Sequence, residues 1–200
     1  MSAGTDHLDL VALADHGVRV VTTPGVNAVS LAEHALMMIL ALAKHALPAH
    51  AAVVAGQDRV GMIDSPVEVH GRRAGVLGAG ATGRALIPLL RALGMEVTVW
   101  TRRPDRHPDL PTAGLEEIFE ECSIVSVHLP LTPHTRGMVD AKLLRLLPPG
   151  ALVVNVARKE IIDSDGLQLV AAEQPDLRFA VDDFGLADDG TVAVVGDRGL

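Results

Sequence analysis

From residue 74 onward, short apolar runs and amphipathic stretches take turns along the chain. The runs Ala74 to Leu77, Glu96 to Trp100, Ile124 to His128, Leu152 to Val156 and Arg178 to Val181 are rich in β-branched residues and read as strands. Between them, Ala81 to Leu93, Leu115 to Glu121, Ala141 to Leu146 and Ser164 to Glu173 read as helices. Such alternation predicts crossover units, and hence a doubly wound parallel α/β sheet of the Rossmann type with helices on both faces. One local conflict stands in the first of these helices. Pro88 costs ~3 kcal/mol there unless a kink accommodates it.

The pattern before residue 74 differs. Leu8 to Asp15 carries a short helical pattern closed by Gly17, and Val18 to Val21 reads as a strand. Thr23 to Asn27 is a loop. Ser30 and Glu33 form a capping box that starts a helix over Leu31 to His45. That helix is apolar nearly all round, which predicts burial between layers or against another subunit. After Pro48 a shorter helix over Ala51 to Val54 ends at Gly56, and Gln57 to Arg72 reads as a linker.

Composition narrows the class. The chain is 48% hydrophobic but only 2% aromatic, so its core is built from Val, Leu, Ile and Ala. A net charge of -8 argues against a general nucleic-acid surface. The single cysteine, Cys122, excludes an internal disulfide framework and fits a reducing compartment. Glu33, His34, Lys44 and His45 argue against a membrane span in the long apolar helix. The first residues lack the basic and apolar regions of a signal peptide. A soluble, cytoplasmic protein is expected.

Chemistry enters at Gly78-Ala79-Gly80-Ala81-Thr82-Gly83, placed between a strand and a helix. Gly78 allows a tight turn, Gly80 admits a pyrophosphate to the backbone, and Gly83 lets helix and strand pack closely. The N–H groups of the first helical turn face the phosphates. The end of the second strand selects the cofactor, because a carboxylate there holds the ribose 2′-hydroxyl of NAD, whereas arginines accept the 2′-phosphate of NADP. Here the strand ends Thr101-Arg102-Arg103-Pro104, with no carboxylate. NADP(H) is therefore favoured and NAD(H) remains possible. The alternative is that both arginines are solvated loop charges.

Several stretches together resemble the D-isomer-specific 2-hydroxyacid dehydrogenases. They are Ala3 to Asp9, Thr23 to Asn27, Ala32-Glu33-His34, the glycine loop, His128 to Pro133 with Thr135-Arg136-Gly137, Asn155 to Arg158, and Ile162-Asp163. The resemblance implies an enzyme moving a hydride between a nicotinamide ring and C2 of a small 2-hydroxy or 2-oxo acid. It implies cofactor contacts at Leu129, Pro130, Thr135, Val156 and Ala157, and a homodimer formed through the long helix. It also divides the chain into a substrate-domain remnant (1–26), bridging helices and linker (27–71), the dinucleotide domain (72–184) and a divergent tail (185–200).

By the same resemblance Arg158 is the catalytic arginine that binds the substrate carboxylate, for which a planar fork of donors is suited, and polarises the carbonyl. The alternative is a surface arginine at a strand end. Asp182 matches an aspartate near the nicotinamide carboxamide, or else is an ordinary loop carboxylate. Two departures stand against full competence. The family pairs a histidine with a glutamate as its acid/base, but the glutamate position holds Ala187, and no Pro-His stretch follows the last strand. His134 sits in the earlier Pro-Leu-Thr-Pro loop and is expected to face solvent. Lys159 replaces a glycine, and a positive φ there would strain it by ~1–2 kcal/mol. A non-catalytic dinucleotide-binding protein, or a fragment of a longer enzyme, is the alternative.

Overall fold

The computed structural model describes residues 5, 8–57 and 66–182. The expectations for Ala187, for the 185–200 tail and for the domain end at Phe184 lie outside the described residues. Half of the linker, 58–65, does as well.

Five strands form one fully parallel sheet: β1 (Arg73–Leu77), β2 (Glu96–Trp100), β3 (Ile124–Val127), β4 (Leu152–Asn155) and β5 (Arg178–Val181). Their order is β2-β1-β3-β4-β5. The chain therefore steps outward from β1 to β2, then returns past β1 to lay down β3. The ends of β1 and β3 thus flank the point where the winding reverses, which is where open α/β sheets bind ligands. A single parallel bridge, Val99 to Thr112, adds a rudimentary edge beside β2.

Burial of both faces explains why the strands read as nearly unbroken apolar runs. On one face α2 (Ala28–Ala43) and α4 (Ala81–Ala92) pack with Val76, Val99, Ile124 and Val154. On the other, Leu77, Val125, Val127 and Val153 meet α5 (Leu115–Glu121), α6 (Ala141–Arg145) and α7 (Ser164–Glu173). Gly75 faces this second core, where a Cβ would collide with Ile118 and crowd the Cys122 sulfur. Cys122 is fully buried there, and desolvation pushes its thiol up to about 11. Pro88 lies on the solvent side of α4 together with Arg84, whose carbonyl loses its helical partner. Water can bond that carbonyl, so the proline is tolerated.

Two expectations in the front segment fail. Val18 to Val21 forms no strand, and its valines are exposed, Val21 at 82%. Local β-propensity makes no ladder without a partner, and none pairs with this stretch among the described residues. The capping box also fails: α2 begins at Ala28 behind Asn27, so Ser30 lies inside the helix and caps nothing. The short helix α1 (Leu10–Asp15) is capped by the Asp9 carboxylate but buries no residue. The shorter apolar helix, α3 (Ala46–Val54), takes in Pro48 in its first turn, where a proline removes no helical bond. His45, at φ 51°, bends the chain between α2 and α3. No single helix among the described residues is long and apolar enough to cross a membrane.

Candidate functional site

β1 runs into the glycine turn with its geometry dictated at two points. Gly78 has φ 115°, and a Cβ on it would lie 2.6 Å from the His128 carbonyl oxygen. Gly83, one turn into α4, rests directly on the Gly78 carbonyl, leaving no room for a side chain. Helix, strand and turn are thereby held at backbone contact. Gly80, the N-cap of α4, offers no side-chain cap, and the space a Cβ would take there is open. The N–H groups of Ala81, Thr82 and Gly83 therefore lack intrahelical acceptors beside a free approach to the backbone. An anionic ligand fits this cradle. The loop before α2 closes one side, since a Cβ on Gly25 would stand 3.2 Å from the Ala81 Cβ.

From this turn a cleft of about 380 Å³ opens along the C-terminal edge of the sheet. One wall comes from the end of β2: Trp100, Thr101, Arg102, Arg103, Arg106 and His107. A 3₁₀ turn over Pro104–Arg106 brings Arg106 back beside the first two arginines. The Thr101 hydroxyl accepts the Arg103 N–H at 3.4 Å. Among the described residues no carboxylate lines the cleft. The ion pairs found among the described residues (Arg73 with Glu121, Arg84 with Asp109, Arg145 with Glu173) use none of these three arginines.

Sequence reasoning missed the device that anchors this arm. Arg84 on α4 grips the Asp109 carboxylate at 2.8 and 3.1 Å and contacts His107 Nδ1 at 2.8 Å. The guanidinium holds Asp109 below the usual carboxylate range. A pairing 25 residues apart on an exposed surface leaves no local pattern to find. Arg106, Trp100 and His107 were missed for the same reason: only the turn places them in the cleft.

The opposite wall follows β3 and contains His128, Leu129, Pro130, Thr132 and Thr135. Thr135 is buried, and its hydroxyl is consumed within the loop, donating to the Pro130 carbonyl at 2.6 Å and accepting the Thr132 N–H at 2.8 Å. It shapes the wall. His134 is exposed, as expected.

The remaining candidates lie outside this cleft. Val156 is buried in the core, while Ala157 and Arg158 occupy the loop after β4. The Asn155 side chain organises that loop, accepting the Ala157 N–H at 3.0 Å and donating to the Arg158 carbonyl at 2.9 Å. One Arg158 nitrogen donates to the Ala157 carbonyl at 2.9 Å. Asp182 is exposed just past β5, and its N–H reaches the Asn155 carbonyl at 3.2 Å. All share the C-terminal edge of the sheet with the glycine turn, on its β4–β5 side. Lys159 opens a 3₁₀ turn and is not among the residues with positive φ, so the strain expected there is absent. Among the described residues no group of three or more His, Cys, Asp or Glu is placed to hold a metal ion.

Comparison with known proteins agrees with this geometry. Residues 36–185 match the model of the D-isomer specific 2-hydroxyacid dehydrogenase, NAD binding domain. The chain is 35% identical over 179 residues to an erythronate-4-phosphate dehydrogenase of Ectopseudomonas mendocina, covering 90% of this chain and 43% of that protein. It is 34% identical over 168 residues to the chloroplastic/mitochondrial formate dehydrogenase of Arabidopsis thaliana, covering 80% and 44%. It thus spans less than half the length of either relative. The solved NAD-dependent formate dehydrogenase from Staphylococcus aureus, in complex with NAD, superimposes with a TM-score of 0.81 at 27% identity over 90% of this chain and 55% of that one.

Proposed function

The chain belongs to the D-isomer specific 2-hydroxyacid dehydrogenases through their NAD binding domain, and from that premise we propose that it binds NADP(H) in preference to NAD(H) as part of a 2-hydroxyacid dehydrogenase. The observation that carries the preference is the β2 end, where Arg102, Arg103 and Arg106 line the cleft and, among the described residues, no carboxylate does. A ribose 2′-hydroxyl finds no carboxylate acceptor there, whereas a 2′-phosphate meets guanidinium donors. The Staphylococcus relative is named for NAD, so the preference rests on this chain's own cations. Calorimetric titration with NADPH and NADH tests it. Tighter NADPH binding by about tenfold or more is expected, from the 1.5–3 kcal/mol of a charged hydrogen bond. Equal affinities, or tighter NADH binding, refute it.

When bound, the nicotinamide supplies or accepts the hydride at C2 of a small 2-hydroxy or 2-oxo acid. In this reading the chain's part is to hold the reactants. The glycine turn and the α4 N–H groups take the pyrophosphate, and Leu129, Pro130 and the Thr135-braced loop flank the dinucleotide. Arg158 takes the substrate carboxylate bidentately, with Asp182 nearby at the carboxamide end. The segment before α2 is the end of a substrate domain, consistent with an α1 that buries none of its residues.

A second reading, a dinucleotide-binding protein that does not turn over, is favoured by Ala187 at the glutamate position. A homodimer through α2 and α3 is part of the proposal. Val29, Met37, Leu47, Val53 and Val54 are all exposed on these two helices. Light scattering that shows a monomer at high concentration refutes it.

A further inference from the structure

We propose that His128 is a ligand-contacting residue of the cleft, presenting its Nδ1 to an oxygen of the bound dinucleotide where the ligand passes between β1 and β3. The inference rests on the cofactor reading and adds a residue to it.

Three observations carry it. First, the backbone of His128 is locked at the reversal point of the sheet. Its N–H donates to the Leu77 carbonyl at 2.8 Å, and its own carbonyl packs against Gly78. Second, the ring is oriented. Nε2 meets the Ser126 hydroxyl at 2.8 Å, and Ser126 is itself 1% exposed. Third, the other ring nitrogen, Nδ1, is buried and has no hydrogen-bond partner, although the residue lines the cleft. Buried polar atoms without partners are rare in folded proteins, because each carries an unrecovered desolvation cost. An orphan held rigidly in the wall of a binding cleft is a position a ligand can complete.

The chemistry of the contact follows from the pair. Burial lowers the His128 pKa to about 4, so the ring is neutral at ordinary pH and offers a hydrogen bond rather than a charge. Ser126 can donate to Nε2 or accept from it. In the first arrangement Nδ1 carries the proton and donates to a phosphate or ribose oxygen. In the second Nδ1 is bare and accepts from a ribose hydroxyl. The serine therefore lets one rigid ring serve either kind of oxygen.

The test uses the full chain with NADPH, NADH and ADP-ribose, titrated calorimetrically against wild type, His128→Phe, His128→Asn and Ser126→Ala. His128→Phe is expected to weaken all three ligands by about tenfold, equivalent to 1.4 kcal/mol. Ser126→Ala, which frees the ring to rotate, weakens them by less. His128→Asn recovers part of the loss. Unfolding of the ligand-free variants checks that the fold is kept. In wild type, the ¹⁵N resonance of His128 Nδ1 is expected to move on saturation with ADP-ribose. That readout stands even if the phenylalanine variant fails to fold. Affinities within twofold of wild type in both His128 variants, or an unmoved Nδ1 resonance, overturn the inference. A wild-type chain that takes up none of the three ligands overturns the cofactor reading and this inference with it.

Discussion

Replacing Arg102 and Arg103 together by alanine is expected to separate the two cofactors. Both side chains are exposed at the cleft and stand apart from the ion pairs found among the described residues. Their removal therefore breaks no identified ion pair and leaves no buried charge orphaned. In the ligand complex each can make a charge-assisted hydrogen bond to a 2′-phosphate, worth about 1.5–3 kcal/mol in favourable geometry. Exposure and salt reduce this, since the Debye length is about 8 Å at physiological ionic strength. A combined loss of about 2–3 kcal/mol is the realistic figure, or roughly thirty- to 150-fold in NADPH affinity. NADH lacks the phosphate, so its affinity should stay within about threefold. Adding Arg106→Ala should deepen the NADPH loss, because the 3₁₀ turn directs that residue to the same wall. Calorimetry at two salt concentrations reads all of this, with the wild-type NADPH affinity falling more steeply with salt than that of the double variant. Equal losses for both cofactors would refute the reasoning. They would show the arginines acting on the common pyrophosphate or on the loop's structure.

Three further outcomes are expected. Gly83→Ala places a methyl against the Gly78 carbonyl and should destabilise the fold by about 1–3 kcal/mol, as overpacking does, while displacing the glycine turn enough to abolish dinucleotide binding; chemical denaturation and titration check both. Folding stability should fall as pH drops from about 6.5 towards 4. Over that window the unfolded chain binds a proton on His128 that the buried folded-state ring, with its pKa lowered to about 4, declines; the effect is on the order of 2–3 kcal/mol, and His128→Phe should remove it while exposed carboxylates titrate alike in both proteins. Turnover of glyoxylate, hydroxypyruvate or pyruvate with NADPH should be slow or absent in this chain, since positioned acid/base help is worth ~10²–10⁴ in rate; rates near the ~1–10³ s⁻¹ of ordinary enzymes, lost on Arg158→Ala, would refute it.

Local pattern along the chain is enough to place the sheet and the glycine turn, whereas the rest of the cleft depends on contacts between distant residues. Strands buried on both faces need continuous apolar runs, and β2 and β5 fall at the residues the pattern marks. A glycine required by backbone contact is equally local, which is why Gly78 and Gly83 mark a tight strand-to-helix turn in the sequence. Val18 to Val21 carries the same β-branched signal as those strands and forms none, because a strand exists only through its partner. Ser30 and Glu33 have cap spacing, yet the helix begins earlier at Ala28, where Ala28, Ala32 and Ala35 come to lie buried. Packing of that face outweighs a cap worth about 1 kcal/mol. The arm that carries Arg106 is pinned by Arg84 to Asp109 across 25 residues. The ring of His128 acquires an orphan nitrogen only when β3 is laid beside β1. Those properties depend on which side chains meet across the fold, and spacing along one chain does not encode them.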